Sequence, residues 1–185
     1  MKIIKIIHLQ VIPKLSGVQN ISLEIMRHLP DDKYDKYILF SDTEVYGDIN
    51  NCIDKFKEAG CKVILSPYMK REIGLSDIKA LIELYKLFRR EKFDIVHTHS
   101  TKPGIVGRIA AKMAGVPYVI HTVHGLAFHK SLKWYLWVFY WACEMFASIF
   151  CDRIVLVNRY YARYFKMFNH KVVTIYNGID FAKLR

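Results

Sequence analysis

The sequence predicts an α/β fold, a doubly wound parallel sheet of about seven strands. Short apolar runs rich in β-branched residues alternate with longer stretches of helical periodicity along the chain. The first run, residues 3–9, is continuous enough to be a strand buried on both faces of a parallel sheet. Such units build one layered domain with right-handed crossovers, and 185 residues are enough to bury its core.

The first half of the chain supplies three of the predicted strands. After the first strand, Ser16-Gly17 predicts a turn into a helix with an apolar stripe that runs from Val18 to Leu29. Gly60 is the expected C-terminal stop of a second helix. The elements predicted after the first helix are strand 37–40, helix 48–59, strand 62–65, a basic loop over 67–74 and a helix that begins near residue 76.

The second half supplies the other four strands. Pro103 suits the first turn of a helix that ends at Gly115. The remaining predicted elements are strands 95–97, 118–123, 153–157 and 172–175, a long apolar helix over 132–150 and a short helix over 159–168.

The charge and the cysteine content limit the classes of partner and compartment that the protein can have. The net charge of +11 indicates an anionic partner, such as nucleic acid, an acidic membrane or a phosphorylated substrate, or else a solvated basic surface. The four cysteines form no CxxC pair, so we expect reduced, mostly buried thiols in a cytoplasmic protein.

Polar residues cluster where two of the predicted strands end. His97-Thr98-His99-Ser100 follows one strand and His124-Gly125 follows the next. Ligands of open α/β sheets bind beyond the carboxyl ends of the strands, so this edge is the predicted site. His97 and His99 share a face, and we expect His97 in the core and His99 nearer the mouth. Lys102 either supplies charge to a phosphate or caps the loop in solvent.

Two further features each have two readings. Gly17 stands where a doubly wound fold binds phosphate, or in an ordinary tight turn; the chain has neither GxGxxG nor GxxxxGK[ST]. The stretch 134–151 carries one charge, Glu144, for which we expect a structural partner. We expect this helix to pack on the sheet. The alternative is membrane contact through its tryptophans, beside two lysines: Trp134, Trp137, Trp141, Lys130 and Lys133.

A set of motifs in fixed order resembles a known family. HTHSTKPGIVGRIAAKMAGVPYVIHTVHG, CDRIVLVN and TIYNGID are similar to the N-terminal half of a family 4 glycosyltransferase, of the bacterial capsular and surface polysaccharide type. The resemblance implies a GT-B enzyme of two Rossmann-like domains, with a retaining mechanism and no metal or other cofactor. Residues 1–180 would form the acceptor-side domain and 181–185 the start of the linker. The donor domain is absent from this chain, which we therefore expect to be inactive alone.

The resemblance also implies roles for individual residues. Gly17 would lie in the loop that approaches the donor diphosphate, although Ser16 stands where the family often has another glycine. His124 matches the histidine that contacts the transferred sugar and is the catalytic candidate. The residues expected around the substrate are Gly17, His99, Ser100, Lys102 and Gly125.

The implied partners are a UDP- or GDP-linked sugar and a lipid-linked or glycan acceptor, with peripheral contact at the inner face of the cell membrane. Two alternatives stay open. One is another sugar-nucleotide enzyme, such as an epimerase. The other is a basic module that binds membrane or nucleic acid, although no aromatic–basic pattern on a strand pair favours nucleic acid.

Overall fold

The computed structural model describes residues 2–42, 49–70, 74–129 and 131–178. Within these ranges seven parallel strands form one sheet in the order β3-β2-β1-β4-β5-β6-β7. The strands are β1 (Ile4–Leu9), β2 (Tyr34–Ser41), β3 (Lys62–Ser66), β4 (Ile95–His99), β5 (Tyr118–Val123), β6 (Arg153–Leu156) and β7 (Val172–Thr174). The helices are α1 (Gly17–His28), α2 (Ile49–Glu58), α3 (Ser76–Glu91), α4 (Thr101–Met113) and α5 (Trp134–Ser148).

This topology confirms the predicted fold class. The chain moves outward from β1 to β3 and then returns to place β4 beside β1. The strand order therefore reverses between β1 and β4, and the ligand crevice of such sheets lies at that point.

Three predicted elements differ most from the structure. β2 begins at Tyr34, three residues before the predicted start of that strand. β4 continues to His99, two residues beyond the predicted end, so the whole His-Thr-His run belongs to the strand. The predicted helix 159–168 is instead two 3₁₀ segments, Arg159–Tyr164 and Lys166–Lys171. Parts of the predicted loop 67–74, the start of helix 48–59, Lys130 and the end of the TIYNGID motif lie outside the described residues. All four cysteines are free, and three of them are buried.

The sheet buries a different kind of core on each face. On one face, α3, α4 and the end of α5 cover an extended apolar cluster that includes Leu9, Val96 and Ile154. On the other, α1 and α2 cover a smaller apolar cluster around Phe40 and Phe56. Beneath α1, at β1 and β4, this second face carries imidazoles instead of aliphatic side chains. The sheet is therefore polar inside, close to its switch point.

Helix α4 approaches the sheet closely because two of its residues are glycines. A Cβ atom on Gly104 would lie 2.5 Å from Cε1 of His121, and one on Gly107 would lie 2.6 Å from Cδ1 of Leu9. Neither distance is compatible with a side chain at its present backbone position. The glycines thus fix how deep α4 sits, and with it the position of its first turn at the carboxyl edge.

A buried ion pair joins α4 to α5. Nη2 of Arg108 lies 2.8 Å from Oε1 of Glu144, and Nε of Arg108 donates to the carbonyl oxygen of Gly104. Both side chains are almost fully buried. The expectation that Glu144 is a paired structural carboxylate is confirmed. Removal of either partner would leave the other charge buried without compensation.

The expectation that α5 packs along the sheet is wrong for most of its length. Only its last turns, which hold Glu144, Met145, Ala147 and Ser148, are buried. Trp134 is 78% exposed, whereas Trp137 and Trp141 are partly buried and stack on each other. The helix contacts α4, and in its first turns Trp137 packs against Phe128 and Tyr164. No helix among the described residues is long and apolar enough to cross a membrane.

Candidate functional site

A cavity of about 940 Å³ opens at the carboxyl edge of the sheet, where the sequence predicts the site. It lies between the first turns of α1 and α4, the segment after β1, the start of α3 and the middle of α5. This volume suits a ligand the size of a sugar phosphate. The polar residues that line it include Gln10, Ser16, Gln19, Asp77, Ser100 and Lys102.

Gln10 is the most informative residue of this cavity. Its side chain is 2% exposed, and neither its amide nitrogen nor its amide oxygen has a hydrogen-bond partner among the described residues. Buried polar groups are nearly always paired, so an unpaired amide in a cavity wall indicates a missing ligand group or water. The sequence prediction omitted Gln10. The available signal was its place, a polar residue directly after the buried strand β1.

The first turns of α1 and α4 border the same cavity, and among the described residues neither helix has a side-chain hydrogen bond to its first backbone N–H groups. The Ser16 side chain accepts no hydrogen bond from a backbone N–H of α1, because its hydroxyl donates to Oε1 of the Gln19 side chain. Ser100 caps α4, also without a side-chain bond, at a φ of 66° that non-glycine residues rarely adopt. Uncapped N–H groups at the positive ends of helices attract anionic oxygen atoms.

The protein's own backbone does not require a glycine at position 17 or position 125. Neither residue is among those with positive φ, and a Cβ atom added to Gly17 or Gly125 would meet nothing within 4 Å. A tight turn therefore does not explain Gly17. The open space above its backbone is what the close approach of a ligand would need, and the diphosphate role of Gly17 stays a prediction.

Lys102 is not a solvated cap, and whether it contacts a phosphate stays a prediction. Its Nζ lies 2.6 Å from Oδ1 of Asp77, and its side chain is only 12% exposed. The pair spans the cavity wall between α3 and α4. The lysine charge is therefore already compensated, and a ligand would meet an ion pair.

The histidines predicted for the site come together beneath the cavity. His99 lies 3.0 Å from His124 and 3.1 Å from His8 between ring nitrogens, and Nδ1 of His8 lies 2.5 Å from Oγ of Ser22 on α1. The strands thus converge as predicted. His124 and Gly125 lie beside the cavity and do not line it. The prediction omitted His8, although its place on β1 opposite His97 in the register was a usable signal.

The expectation that His97 is a core histidine is confirmed, but the expectation that His99 lies nearer the mouth is wrong with respect to burial. His99 is fully buried, whereas His97 is 8% exposed and hydrogen-bonds through Nε2 to Oγ1 of Thr122. The extension of β4 through His99 accounts for this, because strand residues under α1 are covered and loop residues would not be. Whether His99 contacts substrate stays a prediction; in the structure it contacts other imidazoles.

Burial keeps these imidazoles neutral. It lowers the pKa of His8 and His99 well below 6.5, that of His97 to about 3 and that of His124 to about 4. His121, on the α4 face beside Thr98, is lowered well below its usual pKa by the same cause.

The nitrogens of His8, His97 and His99 lie within 4.8 Å of one another and are the one described group that could share a metal ion. The nitrogens of His99 already face His124 and His8. No metal is part of the predicted site.

Comparison with known proteins identifies the family. The sequence profile of Glycosyltransferase Family 4 matches residues 15–183. The chain belongs to Glycosyltransferase Family 4. It is 39% identical over 190 residues to an Escherichia coli UDP-Gal:alpha-D-GlcNAc-diphosphoundecaprenol alpha-1,3-galactosyltransferase, a match that covers 97% of this chain and 46% of the relative. It is 32% identical over 107 residues to the capsular polysaccharide biosynthesis glycosyltransferase CapM of Staphylococcus aureus, a match that covers 57% of this chain and 26% of the relative.

Solved structures of this fold include transferases and epimerases. Anabaena Alr3699/HepE in complex with UDP superposes with a TM-score of 0.70 and 14% identity, over 97% of this chain and 45% of that one. A UDP-GlcNAc 2-epimerase from Neisseria meningitidis bound to UDP-GlcNAc superposes with a TM-score of 0.67 and 14% identity, over 92% of this chain and 45% of that one. At such identities the likeness shows the Rossmann-like fold alone. The chain spans less than half the length of the curated relatives it matches.

Acid should destabilise this protein steeply. The four buried imidazoles of His8, His97, His99 and His121 bind a proton near pH 6.5 when unfolded but only at much lower pH when folded. Each therefore lowers the free energy of unfolding by about 1.4 kcal/mol per pH unit below 6.5. Urea denaturation at about pH 7.5 and about pH 5.5 measures the slope. His97→Gln should reduce the change of the free energy of unfolding with pH, and the exposed control His170→Asn should not. A free energy of unfolding that does not change with pH in the parent protein would contradict the burial of neutral imidazoles.

Gln10→Leu should not destabilise the protein. Removal of an unpaired buried amide leaves the free energy of unfolding unchanged or raises it by about 1 kcal/mol. Gln19→Leu is the matched control. Gln19 lines the same cavity, but its Nε2 donates to the carbonyl oxygen of Ile12, so its loss should cost about 1 kcal/mol or more. Thermal and urea unfolding of both variants give the comparison, and equal destabilisation would mean that Gln10 is satisfied in the folded chain.

Proposed function

We propose that this chain is the acceptor-side domain of a retaining glycosyltransferase that moves a hexose from a nucleotide sugar, UDP-linked in the first instance, to a lipid-diphosphate-linked glycan. The product would enter surface polysaccharide assembly. The observation that carries the proposal is the unpaired amide of Gln10 in a cavity edged by two uncapped helix N-termini. The activity of the E. coli relative supports the substrate classes, and the role of the S. aureus relative in capsular polysaccharide biosynthesis supports the place of the product.

The chemistry of the cavity fits a sugar diphosphate. The helix N-termini offer N–H groups for phosphate oxygens, and the amide of Gln10 offers both a donor and an acceptor for a sugar hydroxyl or amide. The apolar part of the lining runs through Leu132 and Phe139 to the exposed side of α5, since Phe139 is itself exposed. A lipid chain attached to the diphosphate would have an apolar path out of the cavity.

In the proposed reaction the bond between the anomeric carbon and the leaving phosphate oxygen breaks, and the nucleoside diphosphate keeps the electron pair. The acceptor hydroxyl oxygen forms the new bond on the same face of the sugar, and its proton passes to the departing phosphate. The open space above the backbone of Gly17 allows the donor diphosphate to approach the first turn of α1. His124 and Gly125 would contact the transferred sugar, beside Ser100 and Lys102.

We propose that this reaction needs no metal ion. A Mg²⁺ site that bridges two phosphates requires carboxylate oxygens. The carboxylate that lines the cavity, Asp77, is engaged with Lys102.

We also propose that the protein acts at the inner face of the cell membrane, held there peripherally from the cytoplasm. The apolar residues exposed on or next to α5 are Trp134, Tyr135, Val138, Phe139, Phe146 and Ile149. Lys133 precedes them, and the chain carries a net charge of +11. Co-sedimentation with anionic phosphatidylglycerol vesicles should exceed that with neutral ones and fall at least several-fold in Trp134→Ser/Phe146→Ser. Equal binding by the variant contradicts this contact.

The observations bear on two alternative functions, epimerisation and nucleic-acid binding. The family assignment favours glycosyl transfer over epimerisation, although both occur on this fold. No observation on the described residues favours a nucleic-acid partner.

The decisive assay uses the intact protein that carries this chain, UDP-galactose as donor and N-acetylglucosamine diphosphate with a short lipid as acceptor. His124→Ala should lower kcat by about 100-fold or more, with little loss of stability, because it removes a group that contacts the reacting sugar. The exposed His170→Ala is the control. Residues 1–185 alone should give no turnover. Unchanged turnover in His124→Ala removes it from the site, and interconversion of free UDP-sugars without transfer would favour the epimerase.

A further inference from the structure

Four polar side chains form a continuous hydrogen-bonded row under α1, from Ser22 through His8 and His99 to His124. The links are Ser22 Oγ to His8 Nδ1, His8 Nδ1 to His99 Nε2 and His99 Nδ1 to His124 Nε2. The three distances are 2.5, 3.1 and 3.0 Å. Because burial keeps the imidazoles neutral, each ring carries a single N–H, so the position of one proton constrains the next.

The buried end of the row selects one arrangement of protons. Nε2 of His8 is buried and has no partner among the described residues. A proton on that atom would be an unpaired buried N–H donor, which is more costly than a bare acceptor lone pair. The His8 proton therefore lies on Nδ1, and this single N–H is shared by two acceptors, Oγ of Ser22 and Nε2 of His99.

The rest of the row follows from that proton. Nε2 of His99 faces a protonated nitrogen 3.1 Å away, so it must be the bare acceptor. The single proton of His99 is then on Nδ1, from which it is donated to Nε2 of His124. Nε2 of His124 is consequently an acceptor, and His124 carries its proton on Nδ1, the nitrogen that lies away from the row.

We infer that His8 and His99 are positioning residues that hold His124 in its Nδ1–H tautomer. Free neutral imidazoles favour the opposite tautomer, so this choice is imposed by the protein. The inference deepens the proposed function, on which its catalytic meaning rests. His124 would offer a neutral N–H donor to an oxygen of the transferred sugar or leaving phosphate, and Nδ1 would not serve as a general base. That differs from a proton-relay role, in which the ring must accept a proton from the substrate.

Histidine-detected ¹H–¹⁵N correlation spectra of the 185-residue chain at about pH 7.5 test the inference without donor or acceptor. The expected spectrum has His8, His99 and His124 all protonated at Nδ1, with signals assigned by single His→Gln variants. The exposed His170 serves as the reference ring in the same spectrum. A His124 protonated at Nε2 overturns the inference, whether or not any variant folds.

His99→Phe then tests whether His99 sets the tautomer. Loss of the donor should release His124 toward the Nε2–H form, while the fold is retained. If this variant fails to fold, His99→Leu makes the same test with a smaller side chain. A His124 that stays fully protonated at Nδ1 in a folded variant contradicts the positioning role. A confirmed tautomer with full activity in His124→Ala would instead leave the inference intact and remove the proposed catalytic role.

Discussion

The close contact between α4 and the sheet determines most of what surrounds the cavity. Gly104 and Gly107 leave no room for a Cβ atom, so α4 lies directly on His121 and Leu9. Its first turn is thereby held at the carboxyl edge, where Ser100 and Lys102 line the cavity. One turn further on, Arg108 reaches Glu144 and fixes the end of α5. The cavity wall, the ion pair and the exposed aromatic helix thus share one anchor.

The opposite face of the sheet depends on a different constraint. α1 covers imidazoles where an apolar core would be the ordinary solution, and these rings are tolerated because they are neutral and bonded to one another. The arrangement costs stability in acid, yet it links β1 and β4 to His124 at the end of β5. A polar interior that reaches the edge of a sheet at its switch point is more simply explained by function than by stability.

The sequence predicted the sheet and its edge better than the details of the site. Apolar runs and glycine stops gave all seven strands, and strand parity placed His97 and His99 on one face, because these patterns depend on local periodicity. The burial of individual side chains was not predictable in the same way. His99 is buried among other imidazoles, and most of α5 is exposed, and both facts depend on contacts between distant segments.

The residues that were missed illustrate the same limit. Gln10 and His8 look like ordinary polar interruptions of a buried strand, and only the cavity and the facing strand show what surrounds them. The pairing of Lys102 with Asp77 joins α3 to α4 and has no signature in spacing. In contrast, Glu144 stood out as the single charge in an apolar stretch, so a partner could be expected.

We propose that the unpaired Gln10 marks a binding site for a sugar diphosphate. A crystal structure of the chain with a soluble sugar diphosphate that carries a short alkyl chain tests this proposal most directly. We expect ligand oxygen or nitrogen atoms within about 3.2 Å of the Gln10 amide, with phosphate oxygens at the first turn of α1 or α4. A ligand bound elsewhere, with the Gln10 amide still unpaired, would contradict it.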